Sequence, residues 1–328
     1  MIPLSILDLA PIVEGATAAD ALRNSLDLAR HAERLGYTRY WVAEHHNMRG
    51  IASAATSVVI GHLAGGTSKI RVGAGGIMLP NHSPLVIAEQ FGTLEALYPG
   101  RIDLGLGRAP GTDQLTVRAL RRDYSSAEEF PQDVLELQAL LGPIEEGQRI
   151  VAVPGADSRV PLWILGSSLY GAQLAAMLGL PYAFASHFAP AALDQALALY
   201  RREFRPSERL ARPYAIAAIN VIAAPTDEEA VLLGSSMDQS FVALRTGTPG
   251  KLKPPVAGYR QTLPPPALAM LESFREASAI GSPETVRTRV AAFIERTGAE
   301  ELIFAGSTYA PAARIRSLEL AMAAVEGL

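Results

Sequence analysis

The run WVAEHHN, Trp41 to Asn47, ends an apolar strand-like stretch in one carboxylate and two adjacent imidazoles, in a chain with six histidines. An imidazole titrates near neutrality, so this pattern suits proton transfer at a reacting centre. Metal ligation is the competing chemistry for such residues. Neighbouring residues on extended chain point to opposite sides, so His45 and His46 cannot both face one ion without a turn between them, and no HxH or HExxH pattern occurs. No metal site is expected, and one histidine of the pair is expected to be structural. A second pattern is GLGRAPGTD, 105 to 113, with Arg108 beside Gly107, and a third is Gly166-Ser167-Ser168 at the head of a helical stretch. Bare amides at a helix start and a nearby arginine form an anion site. A phosphate-bearing cofactor is implied, without its identity. Pro110 stands where a dinucleotide fingerprint needs its third glycine, and GxxxxGK[ST] is absent, so the Rossmann and P-loop readings fall away.

Composition narrows the classes further. The 328 residues are 49% hydrophobic and 19% charged, with a net charge of −4 and no block of like charge. Neither a nucleic-acid groove nor a membrane-attracting face is indicated. Arginine supplies nearly all the positive charge, lysine being confined to Lys69, Lys251 and Lys253, which favours bidentate anion contacts over lysine catalysis. Without cysteine, disulfides, thiolate nucleophiles and cysteine-ligated metals are excluded. The N-terminal MIPLSILDLAP has no basic leader, and no apolar run reaches the roughly 18 residues of a membrane span. A cytoplasmic protein is expected.

These residues must be held by a repeating frame. Apolar strand-type runs at 4–10, 37–43, 69–79, 101–107, 160–166, 181–186, 215–225 and 301–306 alternate with helical patterns. Helix signals include Thr17 with Asp20, Gly36, Pro84, Thr226 with Glu229, and Ser282-Pro283. A helix is expected over 126–142, with Pro131 marking a kink or a later start. Eight β/α units with continuously apolar strands predict a closed (β/α)8 TIM barrel over 1–328 as a single domain, with irregular insertions at about 143–160 and, after strand seven, 245–275. Active sites in such barrels lie where strands end. Asp8, Glu44 to Asn47, Gly73 to Gly76 continuing to Asn81-His82, Gly105 to Asp113, Gly166 to Ser168, and Ser186-His187 occupy those ends. AGSTYAP, 305 to 311, is a candidate phosphate contact after strand eight, but no catalytic lysine or paired carboxylates accompany it for phosphosugar chemistry.

EHHN, RVGAGGIMLPNHSPLVIAEQFGTLEALYPGRIDLGLGRAPGTD and PLWILGSSLYGAQLAAMLGLPYAFASHF, in this order and spacing, resemble the bacterial luciferase-like flavin monooxygenases. The resemblance implies an oxidoreductase that uses reduced FMN and O2 to oxidise a small organic substrate, with reduced flavin supplied by a separate NAD(P)H:flavin reductase, and a homodimer. It implies His45 and Glu44 as catalytic residues. It also implies Ala74, Gly75, Gly76, Arg108, Gly166, Ser167 and Ser168 as cofactor-binding residues, with a non-proline cis peptide at Gly75-Gly76. The Arg108 and Gly166 to Ser168 elements resemble the FMN branch; an F420-dependent oxidoreductase and a non-catalytic flavin-binding protein are the alternatives. Gly107 replaces the reactive cysteine of luciferases, and the 245–266 stretch is short and proline-rich where theirs is a long lysine-rich lid, so light emission is not expected. Phe184, Phe188, Trp41 and the 245–266 stretch are candidate substrate walls.

Overall fold

The computed structural model describes residues 2–109, 113–122 and 127–328. Nine strands, all paired in parallel, run through it: β1 (Leu4–Asp8), β2 (Arg39–Val42), β3 (Arg71–Met78), β4 (Ile102–Gly107), β5 (Leu162–Gly166), β6 (Tyr182–Phe184), β7 (Ala215–Ala223), β8 (Ser278–Gly281) and β9 (Glu301–Ala305). β1 to β7 and β9 close into a ring, because β6 pairs with β7 and β9 pairs with both β7 and β1. The eight ring strands coincide with the eight apolar runs, and the TIM barrel is the observed fold. β8 was not among them. It pairs with β7 alone, from Asn220 to Ala223, and its four residues are too few and too small to show a pattern beside a proline-rich stretch.

A closed parallel barrel buries both faces of each strand, which explains why the strands read as unbroken apolar runs. Outward-facing residues such as Ile6, Tyr40, Val42, Val72, Leu104, Ile164 and Phe304 pack with the helices. Leu7, Trp41, Ala43, Trp163, Ala183, Ile216, Ala218, Ile303 and Ala305 form a separate cluster in the barrel interior. The interior is bulky at its lower end. Here Arg39 at the start of β2 forks onto Glu301 at the start of β9 (2.7 and 2.9 Å) and reaches Asp103 of β4 at 2.8 Å. Its guanidinium lies 4.7 Å from the centre of the Trp163 ring. At the other end the interior lining includes the small side chains of Ala43 and Ala305.

The connecting helices start and stop as their residues dictate. Helix α1 (Ala18–Leu35) opens on a capping box of Thr17 and Asp20 and ends at Gly36 with φ 85°. α2 (Thr56–Gly65) and α3 (Pro84–Leu97) follow β2 and β3. The short α4 (Gln114–Ala119), not evident in the sequence, is capped by Asp113. α5 (Phe130–Leu140) has Pro131 in its first turn, so the proline marks a later start; Ser126, where that helix was expected to begin, lies outside the described residues, as do Pro110 to Thr112 of the run after β4. α6 (Leu169–Leu178), α7 (Leu193–Glu203) and α8 (Asp227–Arg245) continue the alternation.

Residues 143–160 carry no helix or strand. The stretch from 245 to 275 is not irregular throughout: α9 (Pro265–Phe274) lies within it, its prolines occupying the cap and first turn, where no amide bond is lost. α9 packs Leu271 and Phe274 against Phe241 of α8, with the two phenyl rings stacked at 3.9 Å. α10 (Pro283–Thr297) and α11 (Pro311–Val325) complete the chain. Among the described residues, no helix is long and apolar enough to cross a membrane.

Candidate active site

Three segments at the C-terminal ends of the strands bring the polar residues together. Glu44 follows β2, His82 follows β3, and His187 follows β6. β2 and β6 stand on opposite sides of the ring.

Glu44 is fully buried and both of its carboxylate oxygens accept hydrogen bonds. Oε1 accepts from His46 Nε2 at 2.6 Å and from His82 Nε2 at 2.8 Å, and Oε2 accepts from the Met78 amide at 3.0 Å. Burial alone would push its carboxyl up, but the His46 and His82 hydrogen bonds outweigh that and hold it below the usual range. The same bond raises the His46 imidazole above its ordinary value, burial and the Glu44 charge acting after it. Glu44 is therefore an anionic post that orients two rings. Asn47 at φ 54° supplies the turn after the pair and donates to Thr116 Oγ1 at 3.0 Å.

His45 faces the other way. Its Nδ1 is buried and has no hydrogen-bond partner, and burial, only partly offset by Glu44, lowers its affinity for a proton. His187 repeats this condition: its Nδ1 is also buried and unpartnered, and burial followed by repulsion from His45 lowers its value to about 4. The backbone around it is fixed by Asn220 Nδ2 donating to the His187 carbonyl at 2.7 Å. Both rings are thus neutral at pH 7, each with an unpartnered Nδ1.

Gly75-Gly76 is a cis peptide at the bulge in β3. A Cβ on Gly75 would come within 2.8 Å of Leu7 Cδ1, and one on Gly76 within 2.8 Å of the Gly105 carbonyl oxygen. Both glycines answer to the neighbouring strands, so they let β3 fold tightly there whatever it faces. Ala74 puts its methyl into the strand–helix core and has only backbone to offer a ligand.

Arg108, exposed after β4, stacks on Tyr170 in the first turn of α6, its guanidinium carbon 4.0 Å from the ring centre. Gly166 ends β5, and Ser167 and Ser168 lie exposed before the helix. Ser168 caps α6 in extended conformation without a side-chain bond to the first amides. A cation and unsatisfied helix-start amides therefore sit side by side, which fits a phosphate.

The strand-end list held false leads as well. Asp8 turns outward, accepting from Ser25 (2.5 Å), Tyr40 (2.6 Å) and Arg314 (2.7 Å). Trp41 lies low in the barrel, donating to Asp103 at 3.1 Å, and Phe184 packs among the helices, so neither is a substrate wall. Phe188 is 39% exposed and lies under Arg245, 4.8 Å from its guanidinium carbon. His82 and His187 stand at strand ends as the sequence indicates, but the bond from His82 to Glu44, 38 residues away, and the burial of His187 have no sequence signal.

A family profile described as luciferase-like monooxygenase matches residues 3–301. A protein of Escherichia coli strain K12 called a luciferase-like monooxygenase is 53% identical over 100% of this chain and 98% of its own length. The crystal structure of apo-MsnO8 superposes with a TM-score of 0.93 at 38% identity, covering 99% of both chains. Two remoter structures share the fold alone, both at 17% identity. One is the oxygenating constituent of a 3,6-diketocamphane monooxygenase from Pseudomonas putida in complex with FMN (TM-score 0.72, 97% and 96% covered). The other is an F420-dependent secondary alcohol dehydrogenase (TM-score 0.71, 99% of each covered). With a matching profile over most of its length and a close relative along all of it, the chain belongs to the luciferase-like monooxygenase family.

Proposed function

We propose that the protein is an FMN-dependent monooxygenase that oxidises a small organic substrate with O2, reduced flavin being delivered by a separate NAD(P)H:flavin reductase. The observation that carries the cofactor reading is Arg108 stacked on Tyr170 beside the uncapped start of α6. Remote structures of this fold hold FMN or F420 at equal similarity, so the choice of FMN rests on this pocket and its resemblance to the FMN branch. The family resemblance also favours a homodimer.

When bound, reduced FMN supplies the electrons that activate O2. The chain's own residues do the rest. Arg108, with the Gly166, Ser167 and Ser168 turn, holds the phosphate. The backbone at Ala74, Gly75 and Gly76 would meet the flavin with no side chain in the way. His45, neutral and with an unpartnered Nδ1, would hold or move a proton at the reacting centre. Glu44 positions the segment by holding His46 and His82.

Arg108→Ala is expected to weaken FMN by about 2 kcal/mol, roughly thirtyfold, while leaving riboflavin, which lacks the phosphate, nearly unchanged. Fluorescence titrations with both flavins check this. Equal losses would show that Arg108 is not on the phosphate.

A further inference from the structure

His45 and His46 fail as a ligand pair because they diverge, but the fold assembles a different set. Ligand atoms of Glu44, His46 and His82 lie within 4.8 Å of one another, the only such group of three among the described residues. Two imidazole nitrogens and one carboxylate oxygen are the donors that zinc-class ions take, leaving a further position for water. Around a tetrahedral ion with bonds of about 2.1 Å the ligand atoms stand about 3.4 Å apart, so the two imidazoles back away from their 2.6 and 2.8 Å bonds to Glu44 Oε1 and turn to share the ion. The movement is available, since the His46 and His82 side chains are 18% and 26% exposed while Glu44, at 1%, forms a fixed floor. Glu44 Oε2 stays on the Met78 amide, which leaves Oε1 for the ion.

We propose that Glu44, His46 and His82 form a binding site for a divalent transition-metal cation of the zinc class. The ion replaces the two N–H···O bonds to Glu44. Each ring then presents its Nε2 lone pair to the metal and carries its proton on Nδ1. Calcium and magnesium, which prefer oxygen ligands, do not compete. Occupancy holds the Glu44 post, and with it the segment that carries His45. The site uses no residue of the Arg108 pocket and stands or falls apart from the flavin reading.

The test is a titration of the flavin-free full-length protein with Co2+, followed by visible absorption, and with Zn2+ by calorimetry. One equivalent per chain is expected, with the intense bands of a four- or five-coordinate cobalt and no response to Ca2+. His46→Gln and His82→Gln are each expected to lower affinity at least tenfold, while His31→Gln, on exposed α1, leaves it unchanged. Melting curves establish that the variants are folded, and Zn2+ is expected to raise the melting temperature of the unaltered protein but not of the double variant. No cobalt bands in the unaltered protein, the pale spectrum of a six-coordinate ion, or binding that persists in either histidine variant would overturn the proposal.

Discussion

At the scale of single residues, the site depends on neighbours in sequence meeting opposite surroundings. Glu44 is buried yet ionised because two imidazoles and an amide satisfy it, while His45 is buried with its Nδ1 unanswered. His187 shares that fate, and this has a consequence for stability. Its value falls from 6.5 to about 4 on folding, so between those limits the unfolded chain binds the proton that the folded chain refuses. Stability contributed by neutral His187 is therefore full above pH 6.5 and declines as pH falls towards 4, by up to about 3 kcal/mol. His187→Asn is expected to flatten the decline, measured as the difference between urea midpoints at about pH 7 and about pH 4.5. An unchanged difference would place the acid sensitivity elsewhere. The sequence exposed Glu44 and His45 because strand and polar cluster adjoin there. It left His82 and His187 as bare histidines, since the significance of His82 arises from its bond to Glu44 and that of His187 from burial.

At the scale of elements, β3 and β4 are tied by glycines that no side chain can replace. A Cβ on Gly105 would lie 2.3 Å from the Ala74 carbonyl oxygen, and one on Gly76 would lie 2.8 Å from that of Gly105. Both obstacles are backbone, whereas Gly75 chiefly meets the movable end of Leu7. Gly105→Ala is expected to cost about 3 kcal/mol or more, Gly76→Ala somewhat less and Gly75→Ala least, as read by denaturant unfolding. The reverse order would mean that β3 is held by the barrel interior and not by β4. The glycines were legible as a cluster, and the resemblance gave them only a cofactor-binding role; the crowding by adjacent strands appears only in three dimensions. Elements with strong local signals, such as α1 with its Thr17 cap and Gly36 stop, were legible throughout. α9 was hidden because prolines that usually break structure here begin it.

At the scale of the whole molecule, the barrel separates a charged, bulky floor from a mouth lined in part by the small side chains of Ala43 and Ala305. Arg39, Asp103, Glu301, Arg71 and Tyr214 cross-link β2, β4, β9, β3 and the entry to β7 below the site. Removing one partner from such a buried network leaves an uncompensated charge. Glu301→Gln is expected to destabilise the fold by about 3 kcal/mol while leaving flavin affinity of the folded protein unchanged. Loss of flavin affinity at full stability would contradict the division of floor from mouth. The closed ring was legible because parallel strands buried on both faces are apolar throughout. β8 was not, because it joins only the outer length of β7 and needs no apolar run of its own.

The central claim is that this barrel mouth binds reduced FMN and directs its reaction with O2. An anaerobic titration with reduced FMN and, in parallel, reduced F420, followed by admission of O2 with the absorption spectrum recorded, tests it most directly. Saturable binding of reduced FMN in preference to F420, with a reoxidation course unlike that of free flavin, is the expected result. Preference for F420, or reoxidation of FMN indistinguishable from that in buffer, would contradict it.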